Sequence, residues 1–581
     1  MLRSSRAILS IAQRLTFGSL TSLTLVAAAS TLVGCKDENQ PEYWIEKAQE
    51  PAYQAQAIKR LEQFFEDTYG RANSDLAAPE VQALVNKLVD PLTKLYVDNF
   101  DTLATKTRVD LIRLLATFRD KRAEPALKKA LEEFAKKPRR SRDDADIKWA
   151  ANAAADMKLP SLIGPMIASF DKLRASSMLG GITYQDYNKA LVELHDKSWV
   201  GLLAQKLEPE IPQPKKDDKD SFDQARDQLF WQTTAAEVLG FTGDPSAVNP
   251  LLQVVLDPAK RDVHATAFLA LVKLGKPAVE SAIKVLNGED QKLVAFSILR
   301  QKAAGAKEAT NLHVPTMAIL IGTAGRPEGR AALMAALAKE TDEVTKAILA
   351  RELAKIPATA ESKQAFKAAF ESIALDTMIP PGNPALQVLT EAAGQFYDPE
   401  MVTWLLDRAE AVKGDPEEKK ALQGSITITA LKLAKPDQLP AVKKAVDRYG
   451  TSIEKGLYTQ AEKILTACGD RVGCYLTAIE KRENQENDTQ FIGIKAGYMI
   501  GILGNDQSRS DLIQRLDSID NAALRFVSAQ AIDQLSPKGS KEAAASLRMI
   551  IEKNAKSPDR NKAAGDSALK QVMYRIESRA N

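Results

Sequence analysis

Histidine and cysteine are scarce in this chain, with three of each among 581 residues. His195, His264 and His313 are far apart, and none belongs to a motif that spaces a second metal ligand beside it. The chain also lacks a His-Glu-x-x-His helix, a Gly-x-Ser-x-Gly turn and a glycine-rich phosphate loop. The sequence therefore predicts no catalytic residue, no metal and no cofactor, and it favours a protein that is not an enzyme.

Net charge and strand-like patterns are missing as well. Lysine and arginine number 79 against 76 acidic residues, and three of those arginines precede residue 35, so the rest is formally neutral. Nucleic-acid-binding proteins usually carry a basic excess, so we expect no nucleic-acid partner. No run alternates apolar and polar residues between hairpin turns. With 45% apolar and 27% charged residues, the composition predicts a folded, all-α protein.

The longest apolar stretch lies near the N-terminus, where Leu20–Val33 follows a segment with arginines but no acidic residue. About fourteen residues fall short of the ~20 that a membrane-spanning helix needs. The stretch ends in Leu32-Val33-Gly34-Cys35, which resembles the lipobox of bacterial lipoproteins: an aliphatic, a variable and a small residue, then cysteine. The resemblance implies transfer of a diacylglycerol to the Cys35 thiol, with palmitate as a suitable label, and cleavage before Cys35.

We therefore predict a signal peptide over residues 1–34 and a short tether over 35–41. The alternatives are an ordinary cleaved signal peptide with an incidental cysteine, or an uncleaved membrane anchor. Lys36, not aspartate, follows the cysteine, and the enterobacterial sorting rule then favours the outer membrane over the inner membrane. The expected location is the bacterial cell envelope, lipid-anchored, on the periplasmic or surface face.

The other two cysteines, Cys468 and Cys474, lie on either side of a turn between two helical runs. In an exported, oxidising setting, this spacing predicts a disulfide across the turn. A free thiol pair and a redox site are the alternatives. The Cys-x-x-Cys spacing of thioredoxin-like redox motifs is absent.

Ala235–Asp257 shows the structural unit of the chain most clearly. The pattern predicts a helix, a turn at Gly243 and a second helix that Asp244 caps and Pro245 begins. Each helix has an apolar stripe that it cannot bury alone. Similar turns recur along the chain, at Pro125, Pro160, Pro277, Pro327, Pro357, Pro399, Pro436 and Pro537.

A recurrence of ~30–45 residues with two helices per unit is typical of an α-solenoid. One longer interval predicts a degenerate helix around Gln291–Lys302. The sequence from Ala236 to Leu252 resembles the consensus of HEAT-like repeats, in particular the bacterial short repeats also found in phycobilisome lyases. The resemblance implies a right-handed superhelix of helical hairpins over residues 107–580. The tetratricopeptide repeat is the alternative, although its signature positions do not stay in phase here.

The segment 209–220 contains three prolines and mixed charge. We read it as an exposed loop between N-terminal helical repeats over 42–208 and C-terminal HEAT-like repeats over 221–581, either a hinge or, as we favour, an insertion between consecutive repeats. Two further clusters have structural interpretations. The basic run 136–142 could meet anionic headgroups but favours a solvated loop. The glycines at 493, 497, 501 and 504 favour close helix packing over a membrane dimer face.

These patterns favour a membrane-anchored, non-enzymatic scaffold that binds proteins or peptides in the envelope. Two alternatives remain open: an envelope protein that binds glycans or lipid headgroups, and a lyase-type protein that handles a chromophore. The partner and the binding face cannot be read from the sequence.

Overall fold

The computed structural model describes residues 37–138, 144–170, 172–174, 182–306, 311–555 and 560–580. These residues divide into two compact units, one that ends at Leu88 and one that begins at Val89. Apart from one short strand pair, their regular structure is helical, as the sequence predicts. Within the described ranges, no helix is both long enough and apolar enough to cross a membrane.

The first half of the described chain contains fourteen α-helices. Their bounds are α1 Pro41–Lys47, α2 Gln54–Arg71, α3 Pro79–Asn99, α4 Thr105–Phe118, α5 Glu124–Lys136, α6 Ala145–Met157, α7 Ile163–Phe170, α8 Ile182–Leu194, α9 Val200–Leu207, α10 Lys219–Thr242, α11 Val248–Leu256, α12 Arg261–Leu274, α13 Lys276–Leu286 and α14 Gln291–Ala303.

The second half contains fifteen α-helices and the strand pair. The bounds are α15 His313–Ala324, α16 Gly329–Lys339, α17 Glu343–Leu353, α18 Ala360–Glu371, β1 Met378–Ile379, β2 Asn383–Pro384, α19 Ala385–Ala393, α20 Met401–Ala411, α21 Pro416–Leu433, α22 Leu439–Tyr449, α23 Ser452–Cys468, α24 Val472–Glu480, α25 Gln490–Leu503, α26 Asp506–Arg515, α27 Ala522–Gln534, α28 Lys541–Ala555 and α29 Arg560–Ala580.

The smaller unit contains α1, α2 and the start of α3. Trp44 is the buried residue of α1, and its indole N–H donates to the carbonyl of Glu38 at 2.7 Å. Ile58, Leu61 and Phe65 form the buried face of α2, as the helical spacing predicts. Helix α3 continues through Pro91 without splitting.

The predicted unit at Ala235–Asp257 is confirmed as α10, a short 3₁₀ turn and α11. Asp244 accepts a hydrogen bond from the backbone N–H of Ser246 at 2.8 Å, and Pro245 begins the turn. Proline suits this position because the first turn of a helix has no use for its missing N–H. An aspartate accepts the same bond, from the N–H two residues on, at several other helix starts: Asp120, Asp196 and Asp257. The expected degenerate helix at Gln291–Lys302 is the regular helix α14.

The larger unit is an all-α solenoid of two layers. Neighbours along the inner layer pack on each other in the order α4, α6, α8, α10, α12, α15, α17, α19, α21, α25, α27 and α29. The outer layer includes α5, α7, α9, α11, α13, α16, α18, α24, α26 and α28. Each hairpin thus buries its apolar stripe against the next, the arrangement expected of repeat arrays.

One detail corrects the expectation of a strand-free chain. Met378–Ile379 pairs antiparallel with Asn383–Pro384 across the proline-rich turn. Between Leu207 and Lys219 no helix forms. The proposed domain boundary at 209–220, and the handedness of the superhelix, stay predictions.

Candidate functional site

Helix α29 closes the larger unit on itself. It packs against α27 and α28, which precede it directly, and also against α12 and α15, which lie some 250 residues or more earlier in the chain. Leu569, Val572, Met573 and Ile576 form its buried apolar stripe. Because α12, α15, α27 and α29 all belong to one layer, α29 closes this layer on itself, which is why we call it the inner layer. We name these contacts of α29 with α12, α15 and α17 the closure.

Arginines make most of the polar contacts of the closure. Arg575 donates to the carbonyl of Lys355 at 2.7 Å and to that of Gly322 at 3.3 Å. In the opposite direction, Arg326 donates to the carbonyl of Ser578 and to its hydroxyl, the latter at 3.3 Å. The carbonyl of Gly322 lies in the last turn of α15, where the last carbonyls lack partners within the helix, and that of Lys355 lies two residues after the end of α17. A cation at that end also interacts favourably with the helix dipole.

Asp533 of α27 neutralises two of these arginines. Its carboxylate is 2.8 Å from Nη2 of Arg575 and also pairs with Arg579. The side chains of Arg575 and Arg579 are only 7% and 2% exposed, so both charges depend on this one carboxylate for an ionic partner. Burial lowers the pKa of Arg579, an effect that Asp533 opposes.

Two glycines let the helix ends come this close. Gly325 has φ +62°, and a Cβ atom there would overlap the guanidinium of Arg575. Gly275 has φ +73°, and its Cβ would lie 2.9 Å from the hydroxyl oxygen of Ser578. A side chain at either position would therefore be strained and would also push α29 away.

Lys273 of α12 reaches α29 between two aromatic rings. Its Nζ lies 3.8 Å from the ring centre of Phe241 and 4.9 Å from that of Tyr574. Glu577 is its carboxylate partner, at 3.8 Å. Burial lowers the pKa of Lys273 to about 8, although Glu577 opposes the shift. Beside it, Lys570 of α29 pairs with Glu237 of α10 at 3.5 Å.

The structure brings together one pair of the residues predicted from sequence. Cys468 at the end of α23 and Cys474 in α24 form a disulfide, with their Cα atoms 5.4 Å apart. The predicted lipidation site, Cys35, lies outside the described residues. So do residues 139–142 of the basic cluster; Lys136, which is described, pairs with Glu133 at 2.7 Å.

The histidines do not converge. The Nδ1 atom of His195 lies 2.6 Å from the carbonyl of Val192, and His264 contacts the carbonyl of Asp257 through Nε2 at 3.0 Å. His313 is buried at the start of α15. In the part of the chain that the structure describes, no three His, Cys, Asp or Glu side chains group as metal ligands would.

The glycine stripe of α25 is explained by close packing, as expected. A Cβ at Gly493 would lie 2.7 Å from Leu524, and one at Gly497 would lie 2.8 Å from Val527, both on α27. A Cβ at Gly501 would overlap the ring of Tyr397, which stacks on Tyr498 with ring centres 5.1 Å apart. Lys495 is fully buried on the same helix and donates to the carbonyl of Ala434 at 2.6 Å.

The sequence interpretation missed the closure. Arg575 and Arg579 read as ordinary polar positions of a C-terminal helix. A usable signal existed, because Arg575 lies one turn after the apolar position 572 and Arg579 lies one turn after 576, on a helix face where arginine is unusual. Arg575 and Arg579 contact residues near positions 322, 355 and 533. These positions are far apart in the sequence, so no local pattern predicts that they meet.

Comparisons with known proteins do not place the chain in a family. No family model and no curated protein matches it. The chain is similar to the karyopherin Kap121p bound to the extreme C-terminus of the protein phosphatase Cdc14p, with 12% identity and a TM-score of 0.32 over 90% of this chain and 69% of that one. It is also similar to a circular tandem repeat protein with novel repeat topology and enhanced subunit contact surfaces, with 11% identity and a TM-score of 0.17 over 93% and 98% of the two chains. At these TM-scores neither likeness bears on function, and the assignment as an all-α solenoid rests on the helices themselves.

Proposed function

We propose that this chain is a membrane-tethered, non-enzymatic scaffold of HEAT-like repeats that binds proteins or peptides in the bacterial cell envelope. The observation that carries the proposal is the closure. Helices α12 and α15 already pack on α29, which comes from a distant part of the chain, through its apolar stripe, and arginines on both sides of this contact bind main-chain carbonyls. Carbonyls are common to all peptides, so a surface that recognises them suits a polypeptide partner.

The tether is proposed from the sequence. Cys35 ends the lipobox-like tetrapeptide, and residues 35–41 would connect the lipid to the folded chain. Lipid on this cysteine, with a second acyl signal, would hold the protein at the membrane. Lys36 supports the outer membrane as the location.

Metabolic labelling tests the anchor. Cells that express the full chain should incorporate labelled palmitate into it, and Cys35→Ser should abolish the label. Cys474→Ser is the matched control, because it removes a cysteine without touching the predicted lipid site, and its label should equal that of the wild type. Undiminished label in the Cys35→Ser chain would contradict the lipoprotein proposal.

Site-specific photocrosslinking in intact cells tests the scaffold. A photoreactive amino acid at Phe526 probes α27 in the inner layer, where this side chain is 52% exposed. The same amino acid at Met549, which is 65% exposed on α28, probes the outer layer. We expect one discrete protein adduct from position 526 that position 549 does not give. No specific adduct from either position, at normal expression, would contradict the scaffold.

A further inference from the structure

A cavity of about 380 Å³ lies beside the closure. Its walls come from the end of α17 and the segment after it, the turn that follows α19, the inner-layer helix α27 and α29. The volume is within the range of pockets that bind small molecules. All four walls belong to the larger unit, so its own fold forms the site.

The ionisable side chains that line the cavity are mostly cationic: Arg351, Lys355, Arg575 and Arg579, against the single carboxylate of Asp533. One more carboxylate, Glu352, lies behind the wall and pairs with Arg351 at 2.6 Å and with Lys355 at 2.7 Å. Four cations thus face two carboxylates, an excess of two positive charges. Burial lowers the pKa of Lys355 and of Arg579, because the nearby carboxylates do not fully offset the cost of burying the two positive charges. An anion in the cavity would offset this cost.

Three buried hydrogen-bond donors of the lining residues have no partner among the residues that the structure describes. They are the hydroxyl of Tyr397 and the Nε–H groups of Arg575 and Arg579. Tyr397 as a whole is 6% exposed, and it ends the short 3₁₀ turn that follows α19, with φ +50°. Buried donors without acceptors are unfavourable and uncommon in folded proteins. An oxyanion that enters the cavity would offer acceptors to these donors.

Apart from four glutamines, Gln395, Gln530, Gln534 and Gln571, the rest of the lining is apolar. Ile356, Phe396 and Val572 are buried in it, whereas Phe526 is 52% exposed at its edge. An exposed phenylalanine beside a group of buried cations suits a ligand with a charged head and an apolar body. A small inorganic anion would leave this half of the cavity unused.

We propose that this cavity binds an amphipathic organic anion, with a carboxylate or phosphate head at Tyr397 and the two arginines of α29 and an apolar body against Phe526. The site does not rest on the proposed polypeptide partner, although it shares Phe526 at its edge with the inner-layer surface probed by photocrosslinking. Its occupancy would add acceptors at the junction of α27 and α29, and would therefore stabilise the closure by linkage.

Calorimetric titration with ligands that share one apolar body tests the proposal. The protein is residues 36–581, expressed without the predicted signal peptide and the predicted lipid site, so that it needs no detergent. Octanoate and octyl phosphate should bind, octan-1-ol should bind at least tenfold more weakly, and octylammonium should not bind. Tighter binding of one of the two anions identifies its head as carboxylate or phosphate. Equal affinity for octanoate and octan-1-ol, or no binding of either anion, would overturn the proposal.

Tyr397→Phe locates the head group. It removes a hydroxyl that has no protein partner, so the fold is expected to keep its stability. Affinity for the tighter anion should fall about tenfold, the value of one hydrogen bond to a charged group at the low end. Tyr449→Phe is the matched control, because its buried hydroxyl also lacks a partner but lies outside this cavity. Equal affinities in the two variants would refute the placement.

Arg351→Gln tests whether the positive charge of the cavity lining contributes to binding of the anion. This side chain is 26% exposed, so the substitution is not expected to prevent folding. The affinity for the anion should fall about tenfold, whereas that for octan-1-ol should stay the same. A parallel loss for both ligands would show a change of shape and would contradict a charge-based site.

Discussion

Replacing Asp533 with asparagine should weaken the closure, the contacts of α29 with α12, α15 and α17. The carboxylate pairs with Arg575 and Arg579, whose side chains are 7% and 2% exposed. Removing one partner of a buried ion pair costs ~3–5 kcal/mol, because the other charge stays buried without compensation. Asparagine keeps the shape and one acceptor, and Arg575 keeps its bond to the carbonyl of Lys355. We therefore expect the low end of the range, ~3 kcal/mol.

Native-state hydrogen exchange, read by mass spectrometry on peptides of α29, measures this directly. A loss of ~3 kcal/mol in the free energy of local opening corresponds to exchange that is more than ~100-fold faster. Peptides of the smaller unit, which ends at Leu88, should exchange as in the wild type.

The matched control is Asp517→Asn. Asp517 pairs with Lys553 at 2.7 Å, but these side chains are 43% and 69% exposed, so the pair contributes little. Exchange in α28 and α29 should change less than threefold in this variant. If Asp533→Asn also changed α29 exchange by less than threefold, the arginine–aspartate cluster would not hold the closure, and the reasoning would be refuted.

Three further changes have defined outcomes. Gly325→Ala should destabilise the larger unit by about 2 kcal/mol or more in urea unfolding, because it adds strain at φ +62° and overlaps Arg575. Lys273 has a pKa of about 8 in the folded chain and of 10.5 ordinarily, so the unfolded chain binds more protons between those values. The free energy of unfolding should therefore rise by up to ~3 kcal/mol from pH 8 to pH 10.5, and below pH 8 it should not depend on this group. The Lys273→Met variant should not show this rise. Replacing Cys468 and Cys474 together with serine should cost ~2 kcal/mol in the same assay.

Each of these has a control. Gly243→Ala has the same φ of +62° but open space around the new Cβ, so it should cost only the backbone strain, ~1 kcal/mol. Equal losses at positions 243 and 325 would contradict the close approach to α29. A rise of equal size in Lys273→Met and in the wild type would assign the pH dependence to other groups. Full alkylation of Cys468 and Cys474 without a reductant would show that the two cysteines do not form a disulfide.

The repeat architecture could be predicted because its determinants are local. Asp244 and Pro245 fix one helix start through bonds that span two residues. The same aspartate cap at Asp120, Asp196 and Asp257 shows that one short pattern generates many helix starts. In a solenoid each unit packs on its neighbours, so periodicity alone indicates most of the core.

The closure could not be predicted because its determinants are distant. Arg326 and Ser578, which bond to each other, are 252 residues apart. The curvature that brings them together is the sum of small rotations at many hairpins, and no single motif encodes such a sum. The cavity depends on the same geometry, since the positions of Tyr397, Asp533 and Arg579 are set by three different repeats.

The functional residues divide in the same way. The Cys468–Cys474 disulfide follows from a short spacing across one turn, and the structure contains it. Lipidation at Cys35 depends on a resemblance in a segment outside the described residues, and it stays a prediction. That the chain has no catalytic role also stays a prediction, since the solenoid alone does not decide it.

The closure of the solenoid by α29 is tested most directly by a zero-length crosslink between Lys570 and Glu237. These residues lie on α29 and α10, their charged groups are 3.5 Å apart, and the side chains are 39% and 30% exposed. Carbodiimide treatment of the native chain, followed by peptide mass spectrometry, should give the amide between them in a monomer. Lys553 and Asp517, 2.7 Å apart, serve as the internal control. If the control pair crosslinks in the monomer and Lys570 never joins Glu237, α29 does not close the solenoid, and the account is contradicted.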